Sequence, residues 1–198
     1  MCGRYSLLTE DEIIEVREML KKMSVNIAKD EFEQVDGGKK EVCPTDRSPV
    51  ITMDKASGGI GFENLKWGFK KWQGSGVIIN ARSETLKTVG MFSRLLNVGR
   101  CVVPAGEYYE WGKAPKKKHI VKDKEGNLLY MAGLYRDTDD GREFVIITKN
   151  ALGEVTKIHD RMPVVLLASQ IEDWLNGGLS PEMITALDFN AVVVCAEI

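Results

Sequence analysis

Apolar and polar positions along the chain follow two rhythms, which divide it into helical and extended stretches. Ile13, Val16 and Leu20 recur at helical spacing. Ahead of them, Thr9-Glu10-Asp11-Glu12 has the order of a capping box, with Thr9 as N-cap and Glu12 three residues on. Together they predict a helix near 10–22. Residues 24–41 are polar and irregular and carry Gly37-Gly38-Lys39-Lys40, which predicts a long surface loop. Val50-Ile51-Thr52-Met53 predicts a short strand, Gly58-Gly59 a turn, and 60–67 the returning strand. Val77-Ile78-Ile79 reads as a buried strand. Ser83 and Glu84 suit a helix start, and Met91, Phe92, Leu95 and Leu96 fit an amphipathic helix ended by Gly99.

Beyond residue 100 the extended rhythm dominates. Cys101-Val102-Val103, Tyr108-Tyr109, Ile120-Val121, Leu128 to Tyr135 and Phe144 to Thr148 all predict strands. The turn Lys124-Glu125-Gly126-Asn127 predicts that 118–122 and 128–135 form a hairpin. Ser169-Gln170-Ile171-Glu172 repeats the capping-box order and predicts a short helix through Trp174-Leu175. Ser180-Pro181 supplies an N-cap and an N1 proline for another helix. Asn190 to Cys195 predicts a closing strand. Many short strands with few helices between them predict an α+β fold, a single domain over 1–198 with largely antiparallel sheets.

Composition narrows this further. The 198 residues are 43% apolar and 28% charged. A chain of that length buries roughly 70% of its unfolded surface and needs no staples; disorder, collagen and a disulfide scaffold are excluded. No apolar run approaches the roughly 18 residues of a membrane span, and Met1-Cys2-Gly3-Arg4-Tyr5 has no signal-peptide character. Four cysteines at 2, 43, 101 and 195, none at C-x-x-C spacing, disfavour zinc ribbons and thioredoxin motifs. The expectation is a cytoplasmic protein with reduced thiols and no membrane contact. Two histidines, His119 and His159, exclude a three-histidine zinc site. The net charge of −2 makes no case for nucleic acid when taken whole. Its distribution is uneven, however. Residues 66–124 hold thirteen Lys and Arg against four acids, a net of +9, which leaves −11 for the remainder. Such a stretch is either a localised footprint for an anion or, at Lys116-Lys117-Lys118, a solvated loop.

Four places carry residues capable of chemistry, each with a plainer reading beside it. Cys2 is an incidental cysteine or, once Met1 is removed, a 1,2-aminothiol. A free α-amine has a pKa of about 7.7–8.0, so a neutral fraction near pH 7 can attack an aldehyde. The adjacent thiol can then close a five-membered thiazolidine. Ile78-Ile79-Asn80-Ala81-Arg82-Ser83-Glu84-Thr85 puts a polar cluster after a strand, as a functional loop or as a turn with an N-cap. In Pro104-Ala105-Gly106-Glu107-Tyr108-Tyr109-Glu110-Trp111, strand alternation puts Tyr108 and Glu110 on one face and Tyr109 and Trp111 on the other. A carboxylate among rings loses solvation and gains a raised pKa, which suits a general acid; an aromatic core strand is the alternative. In Ile158-His159-Asp160-Arg161-Met162-Pro163, His159 is a proton shuttle or a structural histidine.

Met1-Cys2-Gly3-Arg4-Tyr5, Asn80-Ala81-Arg82-Ser83-Glu84-Thr85, Arg100-Cys101-Val102-Val103-Pro104-Ala105, Tyr108-Tyr109-Glu110-Trp111 and Ile158-His159-Asp160-Arg161-Met162-Pro163 stand in the order seen in the SOS-response-associated peptidase family. Trp67-Gly68 and Met131-Ala132-Gly133-Leu134 match as well. The chain resembles that family over nearly its whole length. The resemblance implies a barrel-like fold and a monomer, without cofactor or metal, that senses abasic sites in single-stranded DNA and crosslinks to them. It implies that the protein is nucleoid-associated when bound to DNA. By position, Cys2 matches the nucleophile, Asn80 the asparagine that holds the N-terminal amine, Glu110 the catalytic glutamate and His159 the catalytic histidine. Arg4, Arg82 and Arg161 match arginines expected to grip phosphates, and Pro44 and Trp67 fall where the family contacts unpaired DNA. Glu41 and Cys43 depart from the family's frequent Asn and Ala, and a carboxylate is odd beside a phosphate groove. Two other functions remain open: a peptidase or amidase using Cys2 as N-terminal nucleophile, with self-removal of the leading residue as its narrow form, and a non-catalytic single-strand-binding module.

Overall fold

The computed structural model describes residues 2–23, 41–54, 56–112, 117–189 and 191–195. Its strands are β1 (Tyr5–Ser6), β2 (Glu41–Val42), β3 (Arg47–Met53), β4 (Ile60–Trp67), β5 (Phe69–Lys70), β6 (Val77–Ile78), β7 (Asn80–Arg82), β8 (Arg100–Ala105), β9 (Glu107–Trp111), β10 (Lys118–Asp123), β11 (Leu129–Thr138), β12 (Gly141–Asn150), β13 (Arg161–Pro163), β14 (Val165–Leu166) and β15 (Ala191–Cys195). Its helices are α1 (Glu10–Met23), α2 (Gly90–Val98), α3 (Ile171–Asn176) and α4 (Pro181–Ala186), with 3-10 turns at Ser83–Thr85, Gly153–Lys157 and Ala168–Gln170.

α1 begins where its capping box predicts. The Glu12 carboxylate accepts from the Thr9 N–H at 2.7 Å, and the Thr9 hydroxyl accepts from the Glu12 N–H at 3.3 Å. Ile13, Val16 and Leu20 are buried, so the apolar stripe is the face that docks. α2 ends at Gly99, whose N–H donates to the Leu95 carbonyl. α4 starts with Ser180 as N-cap and Pro181 at N1.

Two sheets dominate. Strands β12, β4, β3, β8 and β11 pair in that order, and β11 pairs again with β12, so this sheet closes into a barrel-like ring. β7 runs parallel to β12, and β13 and β14 extend the same sheet. A five-stranded sheet, ordered β15-β10-β9-β1-β2, lies beside it. Pairing is antiparallel except for β12 with β4 and with β7. The ring strands are buried on both faces. Ile51, Val102, Ala132 and Val145 join the core under the helices. Their neighbours Val50, Cys101, Val103, Met131, Phe144 and Ile146 join a second core with Cys2, Tyr5, Trp67 and Tyr108. That is why these strands read as continuous apolar runs rather than as alternation.

Four sequence expectations change. Residues 118–122 and 128–135 do not form a hairpin: β10 pairs with β9 and β15, whereas β11 pairs with β8, β12 and β14. The turn at 124–127 is real but carries the chain from one sheet to the other. Val77-Ile78-Ile79 is half-buried and not one strand. β6 pairs with β5, and the chain then bends into β7 on β12. Ser169 does not cap; Gln170 accepts from the Leu167 N–H at 2.9 Å, so the helical turn starts earlier. Strand β3 starts at Arg47, ahead of its apolar run. The loop expected over 24–41 lies outside the described residues, apart from Glu41 in β2.

Candidate active site

Cys2 sits at the edge of the second core and is fully buried. Backbone pairing fixes its surroundings. Tyr5 of β1 pairs with Val42 on one side and Tyr108 on the other, and the Tyr109 N–H donates to the Arg4 carbonyl at 2.9 Å. The Cys2 thiol lies 3.9 Å from that same carbonyl. Asn80, the first residue of β7, reaches the start of the chain: its Nδ2 donates to the Cys2 carbonyl at 2.9 Å. That bond sets the orientation of the amide. Its Oδ1 is then buried with no donor among the described residues.

Glu110 projects from β9 on the same face as Tyr108, as strand alternation predicts, and only 2% of it is exposed. Burial raises its carboxyl above the ordinary value of 4.5, and the nearby His159 works in the opposite direction. Burial also pushes the Cys2 thiol far up, and the Glu110 charge adds to that. Burial raises the Tyr108 hydroxyl too, with Cys2 and Glu110 as further causes. The Cys2 thiol is therefore held protonated at neutral pH.

His159 follows the 3-10 turn at Gly153–Lys157 and precedes β13. The Arg161 N–H donates to His159 Nδ1 at 2.9 Å. Nδ1 is the acceptor, so the neutral ring carries its proton on Nε2. β7 and β13 flank β12, with Arg82 and Pro163 both registered on Thr148. The fold thus brings the Asn80-to-Glu84 and His159-to-Arg161 segments together across one strand. Arg161 shows the result. It binds both oxygens of Glu84 at 2.5 and 2.9 Å, the Thr148 carbonyl at 2.6 Å and Asn150 Oδ1 at 2.7 Å, and its side chain is only 11% exposed.

The residues expected to meet DNA divide. Arg82 is exposed and forms no ion pair among the described residues. Arg4 stacks its guanidinium 5.3 Å from the centroid of Trp111 and pairs with Glu41. Arg161 is occupied as described; its guanidinium is bound within the fold and holds the His159 segment rather than facing a phosphate. Trp67 is a correction. It is fully buried, donates to the Ile79 carbonyl at 3.0 Å and stacks on Phe144, so its ring has no free face for a base. The aromatic ring that sequence reasoning passed over is Trp72, which is 98% exposed and follows Lys70 and Lys71. A tryptophan between two lysines and Gln73-Gly74-Ser75-Gly76 was the available signal. Pro44 is half-buried in a turn closed by the Asp46 N–H on the Cys43 carbonyl, and Thr45 there has φ +78°. A β-branched residue rarely adopts that conformation, and such strain clusters at functional edges.

Among the described residues no three His, Cys, Asp or Glu side chains form a metal site, and no helix is long and apolar enough to cross a membrane.

Comparison with known proteins follows the same geometry. The SOS response associated peptidase family matches residues 1–191. The abasic site processing protein YoqW of Bacillus subtilis is 35% identical over 192 residues, covering 89% of this chain and 80% of that protein. The abasic site processing protein YedK of Escherichia coli is 27% identical, covering 91% and 82%. A phage-related protein from Bordetella bronchiseptica has the same fold, with a TM-score of 0.77 at 23% identity over 100% of this chain and 95% of that one.

Proposed function

The chain belongs to the SOS response associated peptidase family, and from that premise we propose that it processes abasic sites in single-stranded DNA by covalent capture on Cys2. The observation that carries this reading is the grip of Asn80 on the start of the chain. One end of its amide holds the Cys2 carbonyl at 2.9 Å, and the other end is a buried acceptor with no donor among the described residues. With Met1 removed, the Cys2 α-amine is the donor that fits.

The chemistry then follows from the protonation states. An abasic sugar is mostly a closed hemiacetal. Burial holds the Glu110 carboxyl above its ordinary value, which suits it to deliver the proton that opens the ring to the aldehyde. The amine attacks first, because the thiol is held protonated. The carbinolamine loses water to give an imine. The thiol then adds across the C=N bond, sulfur to carbon and proton to nitrogen, closing the thiazolidine with no oxidant or reductant. His159 Nε2 can hand protons on and Nδ1 is pinned by Arg161, so the ring has one working nitrogen. Arg82 supplies a cation for the flanking phosphate and Trp72 a face for an unpaired base. A single strand suits this site, because a sugar must reach a buried chain start and an unpaired strand bends at less cost.

The peptidase reading narrows to self-removal of the leading residue. A fully buried, protonated thiol is a poor nucleophile toward an outside peptide. The test is an incubation of the protein, Met1 removed, with an oligonucleotide bearing one abasic site. A denaturation-resistant adduct with the mass of protein plus oligonucleotide minus one water is expected, and none from Cys2→Ala. Absence of the adduct from correctly processed protein overturns the reading.

A further inference from the structure

Glu41 bridges two cations on the outer face of the five-stranded sheet. One of its carboxylate oxygens accepts from Arg4 Nη1 at 3.0 Å, and the other accepts from Lys118 Nζ. Each cation also lies over a ring. Arg4 sits 5.3 Å from the Trp111 centroid, and Lys118 Nζ sits 3.9 Å from that of Tyr109. The strands explain the assembly: Glu41 is on β2, Arg4 precedes β1, Tyr109 and Trp111 are on β9, and Lys118 of β10 is registered on Trp111. Tyr109 and Trp111 alternate with Tyr108 and Glu110, so this cluster is on the opposite face of β9 from the candidate catalytic carboxyl. The second acid there, Glu107, accepts from the Tyr109 hydroxyl at 2.7 Å.

Two cations held side by side over two rings form a receptor for an anion with two oxygens. A carboxylate and a phosphodiester both offer that, and Arg recognises either through the same fork. All three charged side chains remain part-exposed, at 39%, 25% and 28% for Arg4, Lys118 and Glu41. A ligand arriving from solvent can therefore displace the carboxylate. Burial acts to raise the Glu41 pKa, but hydrogen bonds and charge from Lys118 and Arg4 outweigh it and hold it below its ordinary value. The carboxylate therefore stays charged to lower pH than a free glutamate.

We propose that Arg4 and Lys118 form a phosphodiester site for the strand that flanks the lesion, and that Glu41 occupies it in the free protein as an internal stand-in for phosphate. This rests on the DNA reading above. Glu41 then lowers affinity for ordinary single strands, because every binding event must break its two ion pairs. Lys118 becomes a binding residue.

The test uses an intact single-stranded oligonucleotide without any abasic site, titrated by fluorescence anisotropy across a salt series. Glu41→Gln should bind about fivefold tighter than the unaltered protein, the scale of one or two part-exposed ion pairs. Its log–log salt slope should steepen by about 0.7, one phosphate's worth of counterions on a single strand. The gain should vanish in Glu41→Gln/Lys118→Gln. Glu41→Ala is the second variant, with the same gain expected, and a thermal melt confirms that each is folded. Unchanged or weaker binding by folded variants overturns the proposal. If the unaltered protein crosslinks abasic strands and the variants gain nothing, the stand-in role fails alone. If the variants gain affinity and no protein crosslinks, the phosphate site holds and the covalent reading fails.

Discussion

The burial of Glu110 has two consequences with one cause. Burial with Cys2 and Tyr108 nearby disfavours its carboxylate, and the same raised pKa makes it a proton carrier. The unfolded chain releases this proton near the ordinary value of 4.5, whereas the folded chain retains it to higher pH. Folded protein therefore binds more protons through that window, and its stability falls as pH rises through it. Glu110→Gln stays neutral. Its thermal midpoint should match that of the unaltered protein near pH 4 and exceed it progressively as pH rises, read by scanning calorimetry. Adduct formation should slow about 10²–10⁴-fold, the usual weight of a general acid or base. A variant both slow and less stable at pH 7 would count against this assignment. Cys2, Asn80, Glu110 and His159 were all legible as chemistry-bearing residues in sequence. Trp67 and Trp72 were not distinguishable there, because a tryptophan in an extended, lysine-flanked segment reads the same whether it is buried or exposed. Burial is a property of what packs on top.

The elements place these residues, and their joints are where the fold tolerates least change. Backbone meets backbone where α2 joins β11: the Gly99 N–H donates to the Leu95 carbonyl inside the helix end, and the Tyr135 N–H donates to the Gly99 carbonyl at 2.6 Å. A Cβ at Gly99 would stand 2.1 Å from the Tyr135 carbonyl oxygen. Backbone on both sides cannot yield cheaply. Gly99→Ala should cost about 2 kcal/mol by urea unfolding, the scale of overpacking, with adduct chemistry kept at temperatures where the variant is folded. Gly68 has the same tightness at the end of β4. It has φ +107°, and a Cβ there would approach Val77 to 2.8 Å, which is why the chain can turn there toward β5. The starts of α1 and α4 were readable because those caps are local, whereas Ser169 has the same sequence order and does not cap. The partner of β10 was not, since a four-residue turn permits a hairpin and only sheet packing decides against one.

Across the whole molecule, among the described residues, several cations of the +9 stretch are turned inward or paired with acids. Arg100 is folded inward, donating to the Leu96, Trp174 and Leu179 carbonyls over the Trp174 ring. Lys87 pairs with Glu182, and Arg94 lines a groove with Asp54 and Asp137. Lys118 is held by Glu41. Arg82 is left as the exposed cation beside Asn80. Arg82→Ala should weaken binding to all single strands alike and flatten the log–log salt slope by about 0.7, measured by anisotropy; an unchanged slope would remove Arg82 from the interface. The sequence by itself determined the starts of α1 and α4, the end of α2, the strand-rich class and the residues capable of the chemistry, because those depend on near neighbours and side-chain type. Only the tertiary structure decided which strands close the ring and which of two tryptophans faces solvent. It also decided that Arg161 holds the His159 segment, and that a carboxylate from β2 lies between two cations from elsewhere in the chain. Those are contacts between residues tens of positions apart, set by packing that no local pattern encodes.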